Sequence, residues 1–157
     1  MRLLTVIMIF IAAGALAMIN TLSLDELAAK SDEIVAAKVK TVVVVDELPH
    51  GIKVVSNLLQ VEQSYKGALS AGDKIRVRTY AQISGAVELE ENADYLFFLH
   101  KVEGEREIFN ALQGCWAINE DGSFSGMGRD YSLEDVKDAL NPTTQNHSVP
   151  RTPNPLF

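Results

Sequence analysis

Three cations and a tyrosine alternate along one short segment, at Lys74, Arg76, Arg78 and Tyr80. Side chains two residues apart lie on the same face of a β-strand, so this spacing predicts a strand with one basic face and one apolar face. A basic face that continues into an aromatic ring can bind a polyanion or a sugar on a small barrel. The alternative is a solvated outer face whose cations are offset by nearby acids.

The second candidate for chemistry is the single cysteine, Cys115, which precedes the single tryptophan, Trp116. In a strand these two side chains point to opposite faces, and Trp116 is the one expected in the core. A lone cysteine is commonly a small buried hydrophobic residue. The alternative is an accessible thiol that cross-links to a partner. One thiol forms no internal disulfide, so packing alone must stabilise the chain.

Catalytic and metal-binding patterns are missing from the sequence. His50, His100 and His147 are far apart and lack the spacing of a zinc site. Residues 122–126 are bounded by glycines, but Phe124 occupies the position of the serine in a nucleophile elbow, so we expect a turn there. An acidic connector lacks the spacing of a calcium loop; its members are Glu88, Glu90, Glu91 and Asp94. The sequence therefore predicts no catalytic residue, no metal and no cofactor.

The first 17 residues have the three-part pattern of a secretory signal peptide. Arg2 gives a positive start, a largely apolar run follows, and residues 15–17 form the small-x-small cleavage pattern Ala-Leu-Ala. We expect residues 18–141 to form one β-barrel domain that is secreted or periplasmic, with no stable membrane span after cleavage. The alternative is an uncleaved anchor. Residues 142–157 contain four prolines and are predicted to be a disordered tail.

The charge of the chain argues against one class of partner. The 157 residues carry a formal net charge of −7. An acidic protein has no general attraction for phosphate backbones, so no nucleic acid partner is expected. A basic or neutral protein is a more suitable partner, although solubility alone accounts for an acidic surface.

The predicted elements are mostly strands, framed by two short helices. Ser23 and Glu26 form a capping box for a helix that ends near Lys30, and Ser132 caps a second helix that stops before Pro142. Two long β-branched segments around a turn at residues 46–51 predict a hairpin. Shorter strands are predicted from hydrophobic alternation and apolar runs; they cover residues 74–80, 95–99, 108–112 and 115–118. Five or six strands of this kind suit a small closed barrel without free edges.

Five stretches of the chain share the pattern of a known family. They are residues 27–35 (LAAKSDEIV), 61–67 (VEQSYKG), 72–77 (GDKIRV), 95–99 (YLFFL) and 132–136 (SLEDV). Together they resemble exported bacterial proteins related to tissue inhibitors of metalloproteinases and netrin modules. The resemblance implies an oligonucleotide/oligosaccharide-binding-like barrel of five or six strands with short N-terminal and C-terminal helices. The animal inhibitors chelate zinc through a cysteine at the mature amino terminus, whereas this chain has Met18 or a neighbour there, so inhibition of metalloproteases is not implied.

These observations favour an exported, non-enzymatic module that binds a protein partner of unknown identity. The first alternative is a carrier of a small ligand or saccharide in the barrel groove, for which Tyr80 is the one aromatic hint. The second is an uncharacterised hydrolase with scattered catalytic residues. A flat apolar surface would favour protein binding, and a deep pocket with converging polar groups would favour a ligand or a reaction.

Overall fold

A long hairpin forms the framework of the molecule, whose computed structural model describes residues 21–141. Strand β1 (Glu33–Glu47) pairs antiparallel with β2 (Lys53–Lys66) across a single 3₁₀ turn at Pro49–Gly51. The pairing register shifts at several points along β1. Such bulges bend a strand and increase its twist, which lets one long hairpin curve around a barrel.

Three further strands close the barrel. Strand β3 (Lys74–Ala81) pairs with β2, and β4 (Asp94–Val102) pairs with the first part of β1. Strand β5 (Glu105–Ile108) lies between them, parallel to β3 and antiparallel to β4. The order β1-β2-β3-β5-β4 returns to β1 and gives a closed five-stranded barrel. The predicted mostly-β, oligonucleotide/oligosaccharide-binding-like fold class is therefore confirmed.

The sheet continues beyond the barrel on the side of β4. Strands β6 (Cys115–Ile118), β7 (Phe124–Gly126) and β8 (Arg129–Tyr131) add to it in that order. Helices α1 (Leu24–Lys30) and α2 (Leu133–Leu140) both begin with a complete capping box. The sequence predicts the box of α1 and the Ser132 cap of α2, and the structure adds the return bond from Asp135.

Two predictions for this region are wrong. The strand predicted at residues 108–112 ends at Ile108, and the chain then turns so that Gln113 and Gly114 both donate to the carbonyl of Asn110. This turn needs a glycine, because a Cβ on Gly114 would lie 2.1 Å from the carbonyl oxygen of Phe109. Residues 122–126, expected to be a turn, include strand β7.

The apolar residues form two separate cores. One fills the barrel, and its fully buried members include Val35, Val39, Leu59, Val61, Val77, Phe97 and Leu99. The outer core lies between the outside of β1 and β4 and the added strands and helices. Its members include Leu27, Ala28, Ile34, Leu96, Phe98, Trp116, Val136 and Ala139. Strand β4 contributes to both cores, which explains why residues 95–99 are apolar on both faces, as predicted for a buried strand.

An ion pair closes one end of the barrel. The carboxylate of Glu33 accepts two hydrogen bonds from the guanidinium of Arg106, at 2.6 Å to Nε and 3.1 Å to Nη2. The Nζ of Lys101 lies 3.6 Å from the same carboxylate. Glu33 is only 4% exposed, so three strands are fixed at this end by a buried charge and its partners.

Within residues 21–141, no helix has the length and apolar character needed to cross a bilayer. The predicted signal peptide at residues 1–17 and the predicted tail at residues 142–157 lie outside the described residues.

Candidate functional site

The basic face predicted on β3 exists, but it is divided in two. Lys74 and Arg76 are exposed at one end. Arg78 and Tyr80 are partly buried, and both donate hydrogen bonds to Oε1 of Glu107 on β5. The distance is 2.6 Å from the guanidinium of Arg78 and 3.1 Å from the hydroxyl of Tyr80. Burial and the negative charge of Glu107 both raise the pKa of Tyr80. Only Lys74 and Arg76 therefore present an uncompensated charge, as expected for an outer face that is partly offset by acids.

The cavity beside this pair is small. It has a volume of about 90 Å³ and is lined mainly by Thr79, Ile83, Val87 and Ile108, with Glu107 at its edge. Small-molecule sites usually have volumes of roughly 300–1,000 Å³. A wider groove of about 530 Å³ runs between α1, the end of β2 and α2. It is partly open to solvent, and Lys66, one of its two lining lysines, donates to the carbonyls of Ala28 and Ala29.

Cys115 lies on the face opposite Trp116, as the sequence predicts. Trp116 is 1% exposed in the outer core, whereas Cys115 is partly buried and packs against the barrel core. Burial raises the pKa of the Cys115 thiol to about 12. This thiol is protonated at neutral pH, so it has the character of a packing residue rather than of a reactive nucleophile.

In the described part of the chain, His50, His100 and the acidic connector are not grouped into a metal site. His50 lies in the exposed hairpin turn with a φ of +68°, and His100 packs its ring 5.4 Å from that of Phe109. His147 lies outside the described residues. Between residues 21 and 141, no three histidine, cysteine or acidic side chains are grouped so that they could hold a metal ion. Two acids of the connector instead bind β1, because Asp94 pairs with Lys38 at 2.7 Å and Glu91 accepts a backbone hydrogen bond.

The most exposed apolar surface is the far part of β1, residues 42–47, which we call the β1 edge. Pairing of β1 with β4 ends at Lys38, and beyond that point β1 pairs with β2 alone among the described strands. The valines Val43, Val44 and Val45 are 52%, 53% and 58% exposed. A strand with one unpaired side and consecutive apolar side chains is unusual on a protein surface, because such edges readily pair with other chains.

The backbone of the β1 edge also directs hydrogen-bonding groups towards its unpaired side. The N–H of Val42 points away from β2 and donates to Oε1 of Glu91 at 3.0 Å. The ladder between β1 and β2 is regular from Thr41 to Val44. Because backbone groups alternate in direction along a strand, the N–H and C=O of Val44 also point to the unpaired side.

Sequence reasoning predicted the strand that carries the β1 edge but not its exposure. The signal was present in the run of four valines at residues 42–45, bounded by Thr41 and Asp46. A barrel of this size needs about five or six residues per strand, so a much longer β-branched segment must extend past the barrel.

No model of a known protein family matches this chain, and no curated protein matches it. What the chain does must therefore be inferred from its own geometry.

Proposed function

We propose that this chain is an exported, non-enzymatic β-barrel module that binds another protein through the β1 edge. It acts in a secreted or periplasmic location, after cleavage of its signal peptide. The observation that carries the proposal is the run of half-exposed valines on a strand with an unpaired side. Strand addition at such an edge combines main-chain hydrogen bonds with burial of alternate side chains.

The apolar character of the β1 edge supports a binding role because solvent exposure of these side chains is unfavourable. Each methylene removed from water stabilises a complex by about 0.8 kcal/mol. Side chains alternate between the two faces of a strand, so these consecutive valines do not form one flat patch. A partner strand added at this edge lies beside exposed valines on both faces of the sheet and gains from their burial.

The alternatives have weaker support. The cavity of about 90 Å³ beside Arg78 and Glu107 is too small for the ligands that carrier proteins bind. The groove of about 530 Å³ between the helices and β2 is large enough, but it is partly open to solvent, whereas ligand sites bury most of the ligand surface. A hydrolase needs a nucleophile within hydrogen-bonding reach of a base, and the Cys115 thiol is buried in an apolar environment. The resemblance to bacterial relatives of metalloproteinase inhibitors and netrin modules is part of the same proposal. It agrees with a barrel that acts by contact rather than by catalysis.

The proposal is tested by using the purified chain as bait in envelope extract and culture supernatant of the host. The test variant is Val43→Thr/Val45→Thr, which keeps the β-branched shape but replaces one methyl of each valine with a hydroxyl. The matched control is Ile83→Thr, which removes a similar apolar group from an exposed position 40% open to solvent after β3.

We expect the wild type and Ile83→Thr to recover the same partner, and the double variant to recover about tenfold less of it. The two lost methyl groups weaken the contact by about 0.8 kcal/mol each, and a total of about 1.6 kcal/mol corresponds to roughly a tenfold loss of affinity. Equal recovery by all three baits would exclude the β1 edge as the binding surface. Turnover of an ester, peptide or phosphate substrate by the purified chain would contradict the non-enzymatic part of the proposal.

A further inference from the structure

The charges at the two ends of the β1 edge are opposite in sign. Lys40 precedes the valines, and Asp46 and Glu47 follow them. When two copies of one strand pair antiparallel, the beginning of each lies beside the end of the other. The lysine of each copy then lies beside the acidic residues of the other copy. The segment is therefore electrostatically complementary to itself, which is the requirement for a two-fold symmetric contact.

The direction of the backbone groups selects the register of this pairing. In an antiparallel pair, two directly opposed residues direct their backbone groups either both towards the other strand or both away from it. For two copies of one strand, the two-fold axis must therefore lie at the level of a residue that faces its own copy. Val42 and Val44 direct their backbone groups to the unpaired side, whereas Val43 bonds to β2. With Val43 on the axis, Val42 faces Val44 of the second copy and makes about four hydrogen bonds by symmetry.

The same register accounts for the charged residues. It brings Lys40 of each copy towards Asp46 of the other, twice in the complex, although the regular ladder covers only residues 41–44 and the register shifts on both sides of it. Registers centred on Val42 or Val44 also pair outward backbone groups with one another, but they move Lys40 further from Asp46. The hydrogen bonds therefore restrict the register, and the charges select among the registers that remain.

We infer that the partner of the β1 edge is a second copy of this chain, paired antiparallel through β1 about a two-fold axis at Val43. This inference rests on the proposed function, because it names the partner of the same surface. The contact makes one continuous sheet through both molecules and removes the free edge. Glu91, which holds the N–H of Val42 in the single chain, releases it when the second strand binds.

The first test is a sedimentation-velocity concentration series on the purified chain and on two variants at one position. Val44→Pro removes the outward N–H and places a ring on the pairing side, without removing a hydrogen bond to β2. Val44→Thr keeps the N–H and the β-branched shape, so it is the matched control. We expect a monomer–dimer equilibrium that Val44→Pro weakens at least about tenfold and Val44→Thr changes by less than about threefold.

The second test exchanges the charges. Lys40→Glu and Asp46→Lys each place like charges opposite one another at both symmetric positions, so each should weaken the dimer about tenfold. The double variant Lys40→Glu/Asp46→Lys restores opposite charges and should recover the wild-type dissociation constant to within about threefold. A contact that does not oppose these two residues would show no such recovery.

The register is tested by disulfide formation in a Cys115→Ala background. Val43→Cys should form a covalent dimer under mild oxidation, because that position faces its own copy in a non-hydrogen-bonded pair, where Cα atoms are about 4.5 Å apart. Val45→Cys is the control, since Val45 is equally exposed but lies two residues from the axis and outside the regular ladder, so it does not face its own copy. Equal cross-linking at both positions would overturn the register.

Three results would overturn the inference: a monomer at every concentration, open-ended aggregates in place of a dimer, or a dimer that Val44→Pro leaves intact. The proposed function fails separately. Suppose that the chain is a monomer and that the Val43→Thr/Val45→Thr variant recovers less of a host protein than the wild type does. This result would refute the second copy as the partner, but it would support protein binding at the β1 edge. A monomer whose recovery of proteins is unaffected by that variant would refute both.

Discussion

Replacement of Arg106 by methionine is expected to destabilise the fold by about 3 kcal/mol. The variant leaves the Glu33 carboxylate without its bidentate partner while the residue stays 4% exposed. Removal of one member of a buried ion pair generally costs about 3–5 kcal/mol. The value should lie at the lower end, because Lys101 remains 3.6 Å from the carboxylate and offsets part of the loss.

Urea unfolding followed by the fluorescence of Trp116 measures this loss. The indole is 1% exposed and stacks on Tyr131 with ring centroids 4.6 Å apart, so unfolding changes its environment completely. With a denaturant slope of about 1–3 kcal/mol/M, the midpoint of Arg106→Met should fall by roughly 1–3 M. The control is Glu33→Leu/Arg106→Met, which removes both charges and should be within about 1 kcal/mol of the wild type or more stable.

The pH dependence separates a charge effect from a simple packing defect. Hydrogen bonding to Arg106 holds the pKa of Glu33 below its ordinary value. In the wild type this carboxylate therefore contributes stability above its unfolded pKa, and the contribution is lost as pH falls through the lowered folded pKa. In Arg106→Met burial dominates and raises the pKa of Glu33, so that variant becomes less stable as pH rises through the unfolded value.

The gap in stability between wild type and Arg106→Met should therefore narrow on acidification from about pH 7 to about pH 4. A gap below about 1 kcal/mol at neutral pH would refute the assignment of a buried, paired charge. A gap that stays constant across this range would attribute the loss to packing alone.

Two further predictions concern the added strands. Gly126→Ala should destabilise the chain by about 1–3 kcal/mol, because its Cβ would lie 2.3 Å from Cγ of Trp116; an unchanged urea midpoint would show that the indole moves aside freely. Cys115 should react with iodoacetamide at least about a hundredfold more slowly in the folded chain than in urea, because a thiol with a pKa of about 12 is almost entirely protonated at pH 8. Mass spectrometry measures both rates, and equal rates would contradict the burial of this thiol.

The barrel and its helices could be predicted from the sequence because each element carries a local signal. Both capping boxes, the long β-branched hairpin and the strict alternation on β3 are patterns within a few residues. Strand β5 was misplaced because Glu105 and Arg106 do not look apolar. They lie in a strand that pairs with β3 and β4, and Arg106 there donates hydrogen bonds to Glu33, which is distant in the sequence. Strands β7 and β8 have three residues each, too few for any periodicity.

The candidate surface shows a different limit of sequence reasoning. Whether Arg78 is free or paired depends on Glu107, which reaches it only because β5 lies parallel to β3. The four valines of the β1 edge predict a strand equally well in a core or on a surface. Their exposure follows from where β4 stops pairing with β1, and this is decided by the closure of the barrel.

The outer core fixes the order in which the molecule is completed. It joins Ala28 of α1 to Val136 of α2, so its halves come from opposite ends of the described chain. At a synthesis rate of about 5–20 residues per second, Val136 emerges roughly 5–20 s after Ala28. The five barrel strands end at Ile108 and can close before that time, while the apolar face of α1 has no cover. During this interval the part of α1 that packs against α2 in the finished protein is exposed and can be bound by chaperones or cut by proteases. A chain that ends before α2 keeps this apolar surface exposed.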